Sequence, residues 1–121
     1  MKPVQAVIAD DEKPARDRLK RALEGHASVE VVGEAANGSE AVTLIRSLKP
    51  GLVFLDIQMP VLDGFQVLEQ LVRPPAVIFT TAYDEYALRA FEVHAVDYLL
   101  KPYDRERLNE AISRALGRLR S

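Results

Sequence analysis

Leu52-Val53-Phe54-Leu55 is an unbroken apolar run closed by Asp56. It is too short for a helix and shows no polar–apolar alternation, which suits a strand buried on both faces of a parallel sheet. Outward from it, Val4–Ala9, Val29–Ala35, Ala76–Phe79 and Val96–Leu100 repeat the same chemistry, rich in Val, Ile, Leu or aromatic side chains. Helical spacing fills the gaps. Ala15, Leu19, Ala22 and Leu23 share one face, as do Ala41, Leu44, Ile45 and Leu48, and Leu108 to Leu119 extend such a stripe over three turns. Weaker helical stretches run from Phe65 to Val72 and from Glu85 to Val93. Pro14 falls in a first helical turn, Gly25 where a helix ends, and Asn37-Gly38-Ser39-Glu40 is turn and N-cap chemistry. Five βα units with short links imply a parallel sheet with right-handed crossovers and helices on both faces. An eight-fold barrel needs about twice the chain. The expected fold is therefore α/β, an open three-layer (βα)5 sandwich.

The 121 residues are one domain's worth, so residues 1–121 read as a single unit. Apolar residues at 48% and charged ones at 28% exclude a disordered or fibrous chain. The absence of Cys excludes a disulfide framework and any thiolate nucleophile or ligand. The longest uncharged stretch, Pro74 to Tyr83, has ten residues, against the ~20 of a spanning helix. The apolar run Val4–Ala9 is followed at once by three acids, unlike a signal peptide. No membrane association and a cytoplasmic address are the expectation. Net charge is −2, so nothing global calls for nucleic acid, yet 12 of the 16 Lys and Arg lie in the first and last 21 residues.

In open α/β sheets, ligands bind beyond the carboxyl ends of the strands, near the switch in strand order. The first strand is followed by Asp10-Asp11-Glu12, the third by Asp56, the fourth by Thr80-Thr81-Ala82 and the fifth by Lys101-Pro102. In a flavodoxin-like order, 2-1-3-4-5, these ends gather three carboxylates, a hydroxyl and an ammonium. Two carboxylates ~4 Å apart repel by about 4 kcal/mol at an effective dielectric near 20. Lys101 offsets part of this, and a hard divalent cation, Mg²⁺ or Mn²⁺, completes it. Cation, lysine and threonine then suit the oxygens of a transferring phosphoryl group. With no Cys and no Ser-His pair, the nucleophile is a carboxylate.

Asp10-Asp11, Asp56-Ile57-Gln58-Met59-Pro60 with Asp63-Gly64, Thr81-Ala82 and Tyr98-Leu99-Leu100-Lys101-Pro102 resemble a response-regulator receiver domain. The stretch from Phe79 to Pro102 is similar to receivers of LytTR-type transcription regulators. The resemblance implies that Asp56 accepts a phosphoryl group from a phosphohistidine on a sensor histidine kinase. It implies that Asp11, Asp56 and the Gln58 backbone carbonyl hold Mg²⁺, with Asp10 helping through water, and that Thr81 and Lys101 grip the phosphoryl oxygens. Tyr98 would turn inward with Thr81 as a switch, altering the face built by helix four, strand five and helix five, where a homodimer would form. The Lys101–Pro102 bond would be cis. DNA would be bound only through a following output domain, and the chain stops at Ser121, in or just after helix five. One departure is Lys13 standing before Pro14, where many relatives have proline directly after Asp-Asp-Glu.

Each residue alone has a plainer reading. Asp10, Asp11 and Asp56 suit helix caps, Thr81 a turn, Lys101 a loop and Tyr98 strand packing. Their joint placement at adjacent strand ends favours a site. His26 and His94 read as surface residues. Arg16, Arg18, Lys20 and Arg21 with Arg114, Arg118 and Arg120 read as solvated helix faces, with a basic docking surface for an acidic partner as the sharper alternative. A haloacid-dehalogenase-like phosphatase would need an acid at position 58, where Gln stands. A flavodoxin would need a hydroxyl- and glycine-rich loop after the first strand, where three acids stand.

Overall fold

The computed structural model describes residues 2–120. Strands β1 (Val4–Ala9), β2 (Val29–Ala35), β3 (Leu52–Leu55), β4 (Ala76–Thr81) and β5 (Asp97–Leu100) alternate with helices α1 (Lys13–Leu23), α2 (Gly38–Leu48), α3 (Gly64–Glu69), α4 (Ala87–Glu92) and α5 (Arg105–Arg120). The sheet is parallel throughout, in the order β2-β1-β3-β4-β5. This is the flavodoxin-like arrangement that the sequence predicts.

The apolar strands divide their side chains between two cores, because successive residues of a strand point to opposite faces. Val7, Ala9, Val53, Leu55 and Phe79 pack with Ala41, Ile45, Phe65 and Val67, under α2 and α3. Ala6, Ile8, Leu52, Phe54 and Ile78 pack on the other side with Leu19, Leu108 and Ile112, under α1 and α5. All four β3 residues are fully buried, as their unbroken hydrophobicity requires.

Some boundaries differ from the sequence expectation. β4 continues two residues past Phe79 through Thr81, and β5 begins at Asp97 rather than Val96. Helix α3 covers residues 64–69 rather than 65–72. Asp63 and Gln66 form a reciprocal capping box at its start, and Arg73 before Pro74 is pushed away from helical geometry. Helix α4 is confined to 87–92 and has no side-chain cap. Asn37 caps α2 by accepting the Glu40 N–H at 2.9 Å. Gly38 is needed there for space: a Cβ would lie 2.1 Å from the Leu62 carbonyl oxygen.

Candidate functional site

The carboxyl ends of β1, β3, β4 and β5 lie side by side, and the cleft above them is built by the loops that leave these strands. Asp56 leaves β3 with its N–H on the Ala9 carbonyl (2.9 Å), and Asp10 leaves β1 with its N–H on the Ala35 carbonyl (3.0 Å). Lys101 leaves β5 with its N–H on the Thr81 carbonyl (2.7 Å). Sheet-like hydrogen bonds thus carry the predicted site residues out of the core. The Lys101–Pro102 peptide is cis. Gly64 lets α3 begin against the end of β3, since a Cβ there would come within 2.7 Å of the Asp56 carbonyl oxygen.

Oxygen atoms of Asp10, Asp11 and Asp56 come within 4.8 Å of one another. Asp10 and Asp56 are buried, at 3% and 6% exposure, while Asp11 is exposed. The Lys101 ammonium reaches both buried acids, Asp10 Oδ2 at 2.7 Å and Asp56 Oδ2 at 3.2 Å. Burial pushes the Asp56 carboxyl up to about 6; the positive charge of Lys101 pulls down against this and the negative charge of Asp10 adds to the rise. Burial opposes the charge of Lys101, but its hydrogen bond to Asp10 and the fields of both acids outweigh this and raise its pKa. One lysine therefore leaves the acids under-compensated. The donor set is all hard oxygen and partly open to solvent, and its three carboxylates against one lysine leave two negative charges uncompensated, which fits a Mg²⁺-like cation.

The capping alternatives fare differently. Glu12, not Asp10 or Asp11, occupies the N-cap of α1, and Asp63, not Asp56, caps α3. Asp10 does fold its own turn, accepting the Glu12 N–H at 2.9 Å. Thr81 is fully buried at the end of β4, and its hydroxyl accepts the Tyr83 N–H at 3.3 Å. Gln58 lies on the loop after Asp56 and sends its side-chain amide to the Tyr86 hydroxyl, at 2.9 Å. The Tyr98 hydroxyl donates to the Tyr83 carbonyl, so this half-buried ring ties β5 to the loop after β4.

Two side chains, Tyr86 and Arg16, take parts that the sequence does not announce. Tyr86 enters as an anchor for Gln58 and packs against Phe65 with ring centroids 6.2 Å apart. Arg16, read from the sequence as solvated, is only 13% exposed and donates to the Asp10 carbonyl. The basic ends are likewise not simply solvated faces. Lys20 pairs with Glu34 at 2.7 Å, Arg114 with Asp97 at 2.6 Å, and Arg118 donates to the His94 carbonyl.

A doubly wound parallel sheet with an acid triad, a lysine and a threonine at the carboxyl ends of its strands defines a class of α/β domain that carries its site in the crevice at the switch in strand order. The chain belongs to the response regulator receiver domain family, whose model matches residues 6–113. It is 52% identical over 118 residues to a positive alginate biosynthesis regulatory protein of Pseudomonas aeruginosa, covering 93% of this chain and 47% of that protein. It is 45% identical over 114 residues to the sensory transduction protein LytT of Bacillus anthracis, covering 92% and 46%. The chain thus spans about half the length of the curated relatives it matches. Among solved structures, the receiver domain of AraT from Geobacillus stearothermophilus superposes with a TM-score of 0.88 at 32% identity, covering 99% of this chain and 97% of that one. The receiver domain of the putative response regulator NarL from Mycobacterium tuberculosis gives 0.86 at 35%, covering 97% and 99%. These are receivers of two-component signalling, with transcription regulators among the relatives. Among the described residues, no helix is long and apolar enough to cross a membrane.

Proposed function

We propose that residues 1–121 form one cytoplasmic receiver unit, a switch that catalyses only its own phosphorylation and dephosphorylation, with Asp56 as the phosphoryl acceptor. The carrying observation is the buried Asp56 carboxylate, within 3.2 Å of the Lys101 ammonium and clustered with two further acids. An oxygen of Asp56 attacks phosphorus in line as the bond to the kinase's histidine nitrogen breaks, and that imidazole leaves. Lys101 and the Thr81 hydroxyl donate to the phosphoryl oxygens. Asp11, Asp56 and the Gln58 backbone carbonyl would hold Mg²⁺ or Mn²⁺, with Asp10 bound through water; such an ion offsets the acids' repulsion and the phosphoryl charge.

The donor is a sensor histidine kinase. Phosphorylation shifts Thr81 and Tyr98, biasing an existing equilibrium between two arrangements of the α4–β5–α5 face. Exposed Leu88 and Phe91 on α4 and Leu100 on β5, at 72%, 78% and 44%, support a homodimer through that face. DNA is reached only through a LytTR-type output domain outside this chain, as the greater length of the relatives supports. Borohydride trapping tests the acceptor. Reduction of the acyl phosphate should convert residue 56 to homoserine in the peptide mass spectrum; conversion at Asp10 or Asp11 instead would overturn the assignment.

A further inference from the structure

The contacts of Arg16 extend into the acid cluster. From the first turn of α1, its Nη1 donates to the Asp10 carbonyl oxygen at 2.7 Å, and its Nε donates to Glu34 Oε1 on β2 at 3.1 Å. Glu34 is held in turn by Lys20 Nζ at 2.7 Å. The guanidinium is therefore anchored on one strand while it grips the peptide that joins Asp10 to Asp11.

That peptide governs the least constrained of the three acids. The Asp10 side chain is fixed at both oxygens, by the Glu12 N–H and by Lys101, and its own N–H is fixed on Ala35. Among the described residues, the Asp11 carboxylate has no hydrogen-bond or ion-pair partner, although its oxygen lies within the cluster. With no side-chain partner, its reach into the cluster depends on where the backbone places its Cα–Cβ bond, and the Asp10 carbonyl belongs to the peptide plane that leads into it. We propose that Arg16 is a positioning residue for the divalent cation, holding the Asp10–Asp11 peptide so that the Asp11 carboxylate stays aimed into the cluster. This rests on the reading of the acid cluster as a cation site. A rigid fork suits the task, because its separate N–H groups bond the anchor and the carbonyl together; a lysine head has one nitrogen for both.

The test is Mn²⁺ titration of the full chain, following free Mn²⁺ by electron paramagnetic resonance at a temperature where every variant is folded. Loss of an outer partner of a metal ligand typically costs about 10- to 100-fold in affinity. Arg16→Ala should therefore weaken Mn²⁺ binding by about tenfold or more, and Arg16→Lys by a few-fold. Arg114→Ala removes an ion pair to Asp97 and touches none of Arg16, Glu34 and Asp10. It should lower the urea midpoint yet leave Mn²⁺ affinity within about twofold, which separates positioning from general stabilisation. Wild-type affinity in folded Arg16→Ala overturns the proposal. If Arg16→Ala does not fold, Arg16→Lys decides, and wild-type affinity there overturns it. Failure of the wild-type chain to take up Mn²⁺ removes the cation-site reading itself, and this proposal with it.

Discussion

Replacing Asp56 by Asn should stabilise the metal-free protein at neutral pH, although it removes the central group of the site. The carboxyl is raised from an ordinary 3.8 to about 6, chiefly by burial. Two units correspond to about 3 kcal/mol of penalty for carrying the charge in the folded state. The side chain is only 8% exposed, so solvent screening removes little of this. Lys101 is not orphaned by the change, because Asp10 still accepts it at 2.7 Å. The new amide must find its own partners, so the net gain is about 1–3 kcal/mol, or roughly 5–10 °C in melting temperature for a domain of this size. The pH dependence follows from the raised pKa. The folded state binds the Asp56 proton more tightly than the unfolded state, so its stabilisation is complete below about pH 4 and is lost as pH rises through about 6. The advantage of Asp56→Asn should be about 1–3 kcal/mol near pH 7.5 and under about 1 kcal/mol near pH 4. Urea unfolding with a chelator present, followed by circular dichroism at both pH values, measures it. Added Mg²⁺ should then stabilise wild type and leave the variant almost unchanged. An Asn variant less stable than wild type at pH 7.5, or equally advantaged at both pH values, would mean that burial of the Asp56 charge does not weaken the fold.

The remaining expectations concern the supports of the site. Val61 is the centre of a γ-turn closed by the Leu62 N–H on the Pro60 carbonyl at 2.9 Å, and it holds a φ of 74° that a β-branched residue rarely adopts. Val61→Gly should therefore raise stability by about 1 kcal/mol in urea unfolding, the relieved backbone strain outweighing glycine's added unfolded-state entropy; a loss would contradict the strain. Arg107 forks onto the Asp97 carboxylate at 2.6 and 2.9 Å and fastens α5 to the start of β5. Burial opposes the charge of Asp97, but the Arg107 hydrogen bonds prevail and lower its pKa. Arg107→Ala should cost about 2–3 kcal/mol near neutral pH. That cost should shrink as pH falls below the ordinary carboxylate range and Asp97 takes up its proton; a cost independent of pH would argue against the ion pair.

The frame of the fold was legible because burial on both faces leaves its mark in strand composition. Leu52–Leu55 and Val4–Ala9 carry hydrophobic side chains toward both cores, and no other arrangement of so short a run needs that. The clustered side chains were legible because each lies at or just past the end of its strand, so that topology alone gathers Asp10, Asp11, Asp56, Thr81 and Lys101. Contacts fixed by packing between distant elements were not. Arg16 looks like any cation on an amphipathic helix until β2 brings Glu34 alongside it, 18 residues away. Gln58 and Tyr86 meet only because α4 starts where it does, and that boundary has no capping side chain to announce it. Arg114 reads as a solvent-facing residue of α5 until β5 presents the buried carboxylate of Asp97.

If Asp56 accepts a phosphoryl group in a cation-dependent step, the chain gains that mass only when Asp56 and the cation are both present. Intact-mass analysis after incubation with acetyl phosphate tests it most directly, with and without Mg²⁺ and beside Asp56→Asn. Wild type with Mg²⁺ should gain one phosphoryl group, and neither the variant nor wild type with chelator should gain any. A phosphoryl adduct that persists in Asp56→Asn, or forms equally without Mg²⁺, would contradict it.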